Sequence, residues 1–428
     1  MKNYDVITVG GGFAGVAAAI AAAREGANVL LVERNCMLGG AASNCLINPF
    51  MRSYTTVQTK NSTCEVPLNK GIFALLLARL KQMGGLKRDT SFIAKDYVFN
   101  EEYVKFIFEN MCKENGVNLL YKTVMTDVNV DDGFVKSIRV FNKSGFSDLS
   151  ANFYIDATGD ADLAYAAGAE CKLGRDGDEM CQPMTLCFRL CNVDMEAYRR
   201  EKSSINPLYN KFRAQGKIKN PRENVLIFDH FADGILHFNT TRAVKLNPVN
   251  AEDITKAQIE TREQVFEMFY FLRENFSAFK NAELLMTAPE VGVRESRKIV
   301  GEYTLTKDDI IGCKHFLDSI AVGAYEIDIH SPDGTGTELV YLKPDQYYTI
   351  PYRSLIPKTL KNVLVAGRCI SATQEAQSSI RIMPVVCNIG EGAGVAIGKC
   401  VGHGCKDVRD VNVLETQVAL RARGGRHF

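Results

Sequence analysis

The chain has 428 residues, 46% of them hydrophobic, and its 51 Lys and Arg residues nearly cancel its 50 Asp and Glu residues, leaving a formal net charge of +1. That balance gives no overall field toward nucleic acid or a membrane surface, and no apolar run reaches membrane-spanning length. With apolar content enough for two domains and no signal-peptide pattern ahead of Gly10, the composition predicts a cytoplasmic enzyme acting on a small-molecule substrate, with no nucleic-acid or membrane partner.

The first predicted elements form a βαβ unit over residues 6 to 33. Val6-Ile7-Thr8-Val9 is short, β-branched and apolar, as a buried parallel strand is, and it ends at Gly10-Gly11-Gly12-Phe13-Ala14-Gly15. In this spacing Gly10 permits the tight turn, Gly12 removes a Cβ from the path of a pyrophosphate, and Gly15 lets the following helix lie close to the strand. Free N–H groups at the helix start then face phosphate charge. The alanine-rich helix stops at Gly26, and Val29-Leu30-Leu31-Val32 leads to Glu33, an acid placed to bind a ribose diol. Strand, glycines, helix, strand and acid together predict dinucleotide binding.

Next come Arg34 and the paired glycines Gly39-Gly40, then Ala41. Residues 116 to 155 read as an antiparallel meander, with turns near Asp132-Gly133 and Ser144-Gly145, running into Tyr154-Ile155-Asp156-Ala157-Thr158-Gly159-Asp160. Within the long segment that follows, Phe188-Arg189-Leu190 and His237 to Thr241 read as strands and residues 251 to 276 as an outer helix, with Phe266, Phe269, Tyr270 and Phe271 as core. Asn362 to Arg368 is a further strand ending in glycine. Residues 383 to 394 contain glycines but no following strand with a terminal acid, and Pro384 interrupts any strand before them, so they are not a second fingerprint; a helix begins near there. The 13 cysteines are scattered without a CxxC pair, which predicts reduced thiols and no metal site.

These motifs resemble the FAD-dependent oxidoreductases of the glutathione reductase superclass, related to fumarate reductase flavoproteins and to the flavin subunit of heterodisulfide reductase. The segments Ile155 to Ala164 and Ile327 to His330 narrow the likeness to the bacterial FAD-dependent oxidoreductase family. The resemblance implies an α/β fold: a Rossmann-like FAD-binding domain, parallel sheet plus antiparallel meander, split between residues 1–167 and 348–428, with an inserted α+β cap domain at 168–347. It implies FAD contacts at Gly10, Gly12, Phe13, Ala14, Gly15, Glu33, Arg34, Gly39, Gly40, Ala41, Val124, Thr158, Gly159, Gly367, Arg368 and Gly390. Arg368 departs from the pattern, since many relatives carry Asp there. Gly40 to Asn44 contains no histidine for a covalent link, so the FAD is expected to be held noncovalently, and the absence of a second complete GxGxxG unit leaves no dedicated NADPH domain.

The chemistry expected is hydride transfer between a small organic substrate and flavin N5. His330 has the side chain suited to an acid or base at neutral pH, and Arg294 and Arg381 can orient a carboxylate or stabilise an oxyanion. The same residues also suit structural roles: a strand with His330 satisfied at its end, Arg294 and Arg297 paired with Glu290, Glu295 or Glu302, and Arg381 anchoring its loop through a carboxylate. His237 is a further candidate, whereas Cys369 reads as a buried inert thiol. The alternative in another class is a flavin electron-transfer subunit working with an iron–sulfur or reductase partner. A tRNA-acting flavoprotein, known among related folds, fits the neutral charge balance poorly.

Overall fold

A computed structural model of the chain describes residues 4–58, 63–88, 97–334 and 336–425. The βαβ unit forms as its pattern dictates, with β1 (Tyr4–Val9), α1 (Phe13–Arg24) and β2 (Val29–Val32), followed later by α2 (Glu101–Glu114) and β3 (Asn118–Leu120). The meander is narrower than its sequence span. Only β4 (Val124–Asp131), β5 (Phe134–Asn142) and β6 (Gly145–Leu149) pair antiparallel. The flanking apolar segments, β3 and β7 (Ala151–Asp156), instead join the parallel sheet. Alternation alone does not distinguish them, because β3 and β7 are short strands at the ends of the same run.

A second hydrophobic core draws on residues 184 to 291 together with Leu46. It packs a four-stranded antiparallel sheet, β8 (Phe188–Cys191), β9 (Ile227–Asp229), β10 (Leu236–Phe238) and β11 (Glu283–Thr287), against α3 (Met195–Ala214) and α4 (Ala251–Asn275). Phe188 and Phe238 stack across the central strand pair at 4.6 Å between ring centroids. Along α4, Phe269 and Phe271 are buried as expected, but Phe266 and Tyr270 are exposed; the apolar run is wider than the face the helix buries. Residues beyond 291, including Ile299, Ile320, Tyr325 and Ile327, pack into the first core. That places the strand β12 (Ile327–His330) with the nucleotide-binding half, although its sequence position lies within the expected insertion.

The chain returns through β13 (Val363–Val365), which completes a parallel sheet of order β13-β7-β1-β2-β3, and ends in α5 (Gln374–Ile380), α6 (Met383–His403) and a last helix, Val413–Ala422. Among the described residues no single helix is long and apolar enough to cross a membrane. The buried helix α6 explains the glycines of residues 390 to 398. A Cβ on Gly390 lies 2.0 Å from the Ala14 carbonyl oxygen, one on Gly394 2.2 Å from that of Ala18, and one on Gly398 2.4 Å from the Glu25 Cβ. Glycine at every fourth position of α6 thus faces the alanine surface of α1, and the two backbones approach to a distance that side chains forbid.

Gly394→Ala separates propensity from packing. Alanine favours an isolated helix by about 1 kcal/mol, yet its methyl group meets the Ala18 carbonyl, so we expect a net loss of about 2 kcal/mol or more. Urea unfolding checks it; a stabilised variant disproves the close contact.

Candidate functional site

The carboxyl ends of β1, β7 and β13 stop at the turns Gly10-Gly11-Gly12, Ala157-Thr158-Gly159 and Gly367-Arg368, and all three open on one cleft. The space within it is about 950 Å³, counting the part open to solvent at its mouth. The glycines there divide into two kinds. Gly10 (φ +103°) and Gly15 are held by packing, since a Cβ on Gly10 falls 2.3 Å from the Ala157 carbonyl oxygen and one on Gly15 falls 1.8 Å from that of Gly10. Gly12 is different: its nearest neighbour is the Gly40 Cα at 3.9 Å. No protein atom forbids a side chain at Gly12, so the space it leaves open belongs to the cleft. Gly12 is also the N-cap of α1 and supplies no side-chain cap, which leaves the positive end of that helix for an anion.

Glu33 closes this end. Its buried carboxylate accepts hydrogen bonds from the N–H of Gly11 at 2.5 Å and of Asn35 at 2.7 Å. Burial pushes its pKa up while those two bonds pull it down. Arg34 pairs with Glu290 at 2.8 Å, and Arg368 with Asp160 at 2.5 Å, whose carboxylate also accepts from Ser296 at 2.6 Å. Arg368 therefore brings a guanidinium to the cleft wall where many relatives have an acid, and its buried Nε has no partner. Arg297 pairs with Asp162 and lies 4.2 Å over the Tyr165 ring; its partners are not the glutamates its sequence neighbourhood offers.

Of the expected cofactor contacts, Gly10, Gly12, Phe13, Ala14, Glu33, Arg34, Gly40, Ala41, Thr158, Gly159, Gly367 and Arg368 line the cleft. Four do not. Gly15 and Gly390 are occupied in backbone packing, Gly39 donates its N–H to the Gly11 carbonyl at 2.9 Å, and the side chain of Val124 is exposed at the start of β4. Asn35, Asn44, Cys45, Glu290, Val291, Val293, Met383 and Val386 complete the wall. Those from 290 to 293 carry no motif signal and reach the cleft only because the chain folds back after β11.

At the other end α6 begins at Met383 with Pro384 in its first turn and no side-chain cap from Ile382. Arg381, also on the wall, donates from Nη2 to the Asp328 carbonyl oxygen at 3.2 Å and from Nε to that of Ser378 at 3.3 Å. Behind it the Asp328 carboxylate accepts from Tyr325 Oη at 3.1 Å and lies 3.5 Å from His330 Nε2. The other ring nitrogen of His330 lies 3.3 Å from Arg242 Nη2 and 3.2 Å from Thr337 Oγ1. A guanidinium only donates, so Nδ1 accepts and the ring proton sits on Nε2, directed at Asp328. Burial, with Arg294 close by, pushes the His330 pKa down to about 3, and His330 is not on the cleft wall. At neutral pH His330 is therefore an uncharged donor directed at Asp328 from behind the wall, whereas the expectation casts it as the acid or base of the cleft itself.

Arg294 sits behind Val293. Its Nη1 donates to the Pro183 carbonyl at 2.7 Å and to Thr185 Oγ1 at 2.5 Å, and its Nη2 to Asn239 Oδ1 at 3.3 Å. Those partners are neutral, and none is a glutamate. His237 is buried beside Arg189 on the adjacent strand, away from the wall, and neither ring nitrogen has a partner. Cys369 is buried with its thiol pKa raised by burial. Among the described residues no group of three or more His, Cys, Asp or Glu is placed to hold a metal.

A family model described as FAD dependent oxidoreductase matches residues 5–420. Among solved structures, the chain is similar to p-nitrophenol 4-monooxygenase PnpA from Pseudomonas putida DLL-E4, at 11% identity and a TM-score of 0.50, over 98% of this chain and 84% of that one. It is also similar to a geranylgeranyl bacteriochlorophyll reductase-like protein from Thermoplasma acidophilum, at 12% identity and a TM-score of 0.49, over 100% and 85% of the respective chains. At such identities the likeness is one of fold. No curated protein sequence matches.

Two experiments check this geometry. Gly12→Val is expected to fold but to lose its dinucleotide, read as the ratio of heat-released flavin to protein; full loading would show that Gly12 does not face the ligand. For His330 the folded pKa, about 3, lies below the ordinary 6.5, so its contribution to stability is complete above pH 6.5 and is lost as pH falls toward 3. Urea midpoints at graded pH should therefore fall less steeply in that window for His330→Gln than for the parent. An imidazole signal of His330 titrating near 6.5 contradicts the assignment.

Proposed function

Since this chain belongs to the FAD dependent oxidoreductase family, and is therefore an enzyme with FAD as its cofactor, we propose that it transfers a hydride between a small organic substrate and flavin N5. The observation that carries the reading is one cleft receiving two uncapped helix amino termini, those of α1 and α6, with the glycine turn and Glu33 at one end and Arg381 at the other. The group fits the residues present: Gly12 leaves a cradle that a Cβ would enter, and Glu33 stands where a ribose diol would meet it.

Bound FAD supplies the acceptor or donor of the hydride. The chain's own residues supply binding, orientation and charge. The amino end of α6 and the Arg381 guanidinium set positive potential at their end of the cleft, stabilising negative charge that develops there. Arg381 is fixed by the carbonyls of Ser378 and Asp328, Asp328 by the Tyr325 hydroxyl, and His330 keeps its Nε2 proton directed at the same carboxylate. Val291, Val293, Met383 and Val386 form the apolar wall that limits water. In this reading the second core is a cap over the substrate end, inserted within residues 168–347 between the two parts of the FAD-binding domain, 1–167 and 348–428.

The test is anaerobic: mix the yellow protein with sugars, hydroxy acids, amines and NAD(P)H and follow loss of the visible flavin band. Rapid loss with one organic compound supports the proposal, as does loss with NAD(P)H followed by reoxidation by an organic acceptor; loss only with a protein donor, and reoxidation only by a protein acceptor, rejects it in favour of an electron-transfer subunit. Arg381→Met is expected to retain FAD and to slow reduction by that compound about a hundredfold.

A further inference from the structure

Behind Arg381 on the cleft wall lies more positive charge than its surroundings balance. Four guanidinium groups, those of Arg222, Arg242, Arg294 and Arg381, act on one another and on Asp328. Arg242 is paired with Glu223 at 2.9 Å, and Arg381 has an Asp328 carboxylate oxygen at 3.8 Å. Among the described residues, no carboxylate comes within 4.0 Å of Arg222 or Arg294. With His330 neutral, four cations face two anions. Such a surplus in a buried setting is costly unless an anion joins it.

Unfilled donors occur in the same shell. Arg222 is 3% exposed; its Nε donates to Asn224 at 3.0 Å, but its Nη1 has no partner. Gln182 is 1% exposed and has its amide orientation fixed, because its Oε1 accepts from the His330 N–H at 3.2 Å; its Nε2 is left without a partner. Arg294 turns its hydrogen bonds to neutral oxygens alone, and Asp328 acts on it only from beyond ion-pair distance. Burial first, and then the neighbouring guanidinium groups, push the Arg222 pKa down to about 10 and that of Arg294 down as well.

We propose that the substrate is a small organic carboxylate whose anionic group is bound by Arg294 and Arg222, with Arg381 on the cleft wall directing it inward. Planar guanidinium groups match the two oxygens of a carboxylate, and such charge-assisted bonds are the strong ones. This inference rests on the reading of the cleft as the substrate site of an FAD oxidoreductase, but it concerns binding and is tested without turnover.

The experiment is calorimetric titration of the FAD-loaded protein with malonate, acetate, their neutral twins malonamide and acetamide, and inorganic phosphate. Saturable binding of a carboxylate without binding of its amide is expected, weakened about tenfold or more in Arg294→Gln and in Arg222→Gln. Amides binding as tightly as the acids, phosphate binding as tightly as either, or unchanged affinity in both variants would overturn the proposal. If a buried variant fails to fold or to hold FAD, Arg381→Gln gives the same reading from the wall. Failure here leaves bleaching by a neutral organic compound free to uphold the hydride-transfer reading, and a failed bleaching panel leaves carboxylate binding intact, so the two are separable.

Discussion

The contact on which the rest depends is that of α1 with α6. Gly390, Gly394 and Gly398 present bare backbone to Ala14, Ala18 and Glu25, and the helices close to a separation no larger residue allows. Because α1 begins at the first glycine turn and α6 begins just after Arg381, this one packing event carries two helix amino termini to the same cleft. Each brings partial positive charge that falls off within about a turn, so a wider gap between the helices would carry one of the two ends beyond reach of a shared ligand. The alanines of α1 thus have a positional reason beyond helix propensity: a small surface on one side matches the absent side chains on the other.

The electrostatic design differs along the cleft. At the nucleotide end each arginine has a carboxylate partner, Arg34 with Glu290, Arg368 with Asp160 and Arg297 with Asp162, while the Glu33 carboxylate is held by two backbone N–H groups. Fixed pairs of that kind hold loops in place but leave little net field. At the other end Asp328 is the shared acceptor of Tyr325 and His330 and a neighbour of Arg381, while among the described residues Arg294 and Arg222 have no carboxylate within ion-pair distance. A site balanced at the end that holds a resident group and unbalanced at the end that exchanges its ligand is one that gains electrostatic free energy as an anion enters.

Most of the nucleotide half was legible in the sequence because its constraints are local. Gly10 and Gly15 announce themselves through spacing, Glu33 through its place after a short apolar strand, and the strand at 363–365 through its terminal glycine. What misled was similarity of pattern without similarity of contact. Gly390 reads as a cofactor glycine, yet its freedom is spent on Ala14; Val124 belongs to an expected strand, but its side chain points to solvent. His330 has the right chemistry for a base, and only its surroundings remove it: Arg242 on one ring nitrogen, Asp328 on the other, and burial that disfavours the cation. Asp328 is only two residues away on the same strand, but Arg242 is 88 residues away, and neither that contact nor the burial lies at a spacing that sequence can interpret.

The same distance argument explains why the wall from Glu290 to Val293 was missed and why it matters. These residues follow β11, whose sheet belongs to the second core, yet Glu290 pairs with Arg34 and its N–H donates to the Asn44 carbonyl at 3.1 Å. Cys45 adds a weaker contact, with its thiol 3.5 Å from the Val291 carbonyl. One strand exit is therefore fastened to the loop after β2, and Arg294 lies only four residues beyond the Glu290 anchor. The position of Arg294 is therefore set by contacts made at the glycine-turn end of the cleft. A shift of the second core relative to the parallel sheet would move Arg294 and disturb Arg34 together, so the fold ties the position of the Arg294 guanidinium to the integrity of the cleft.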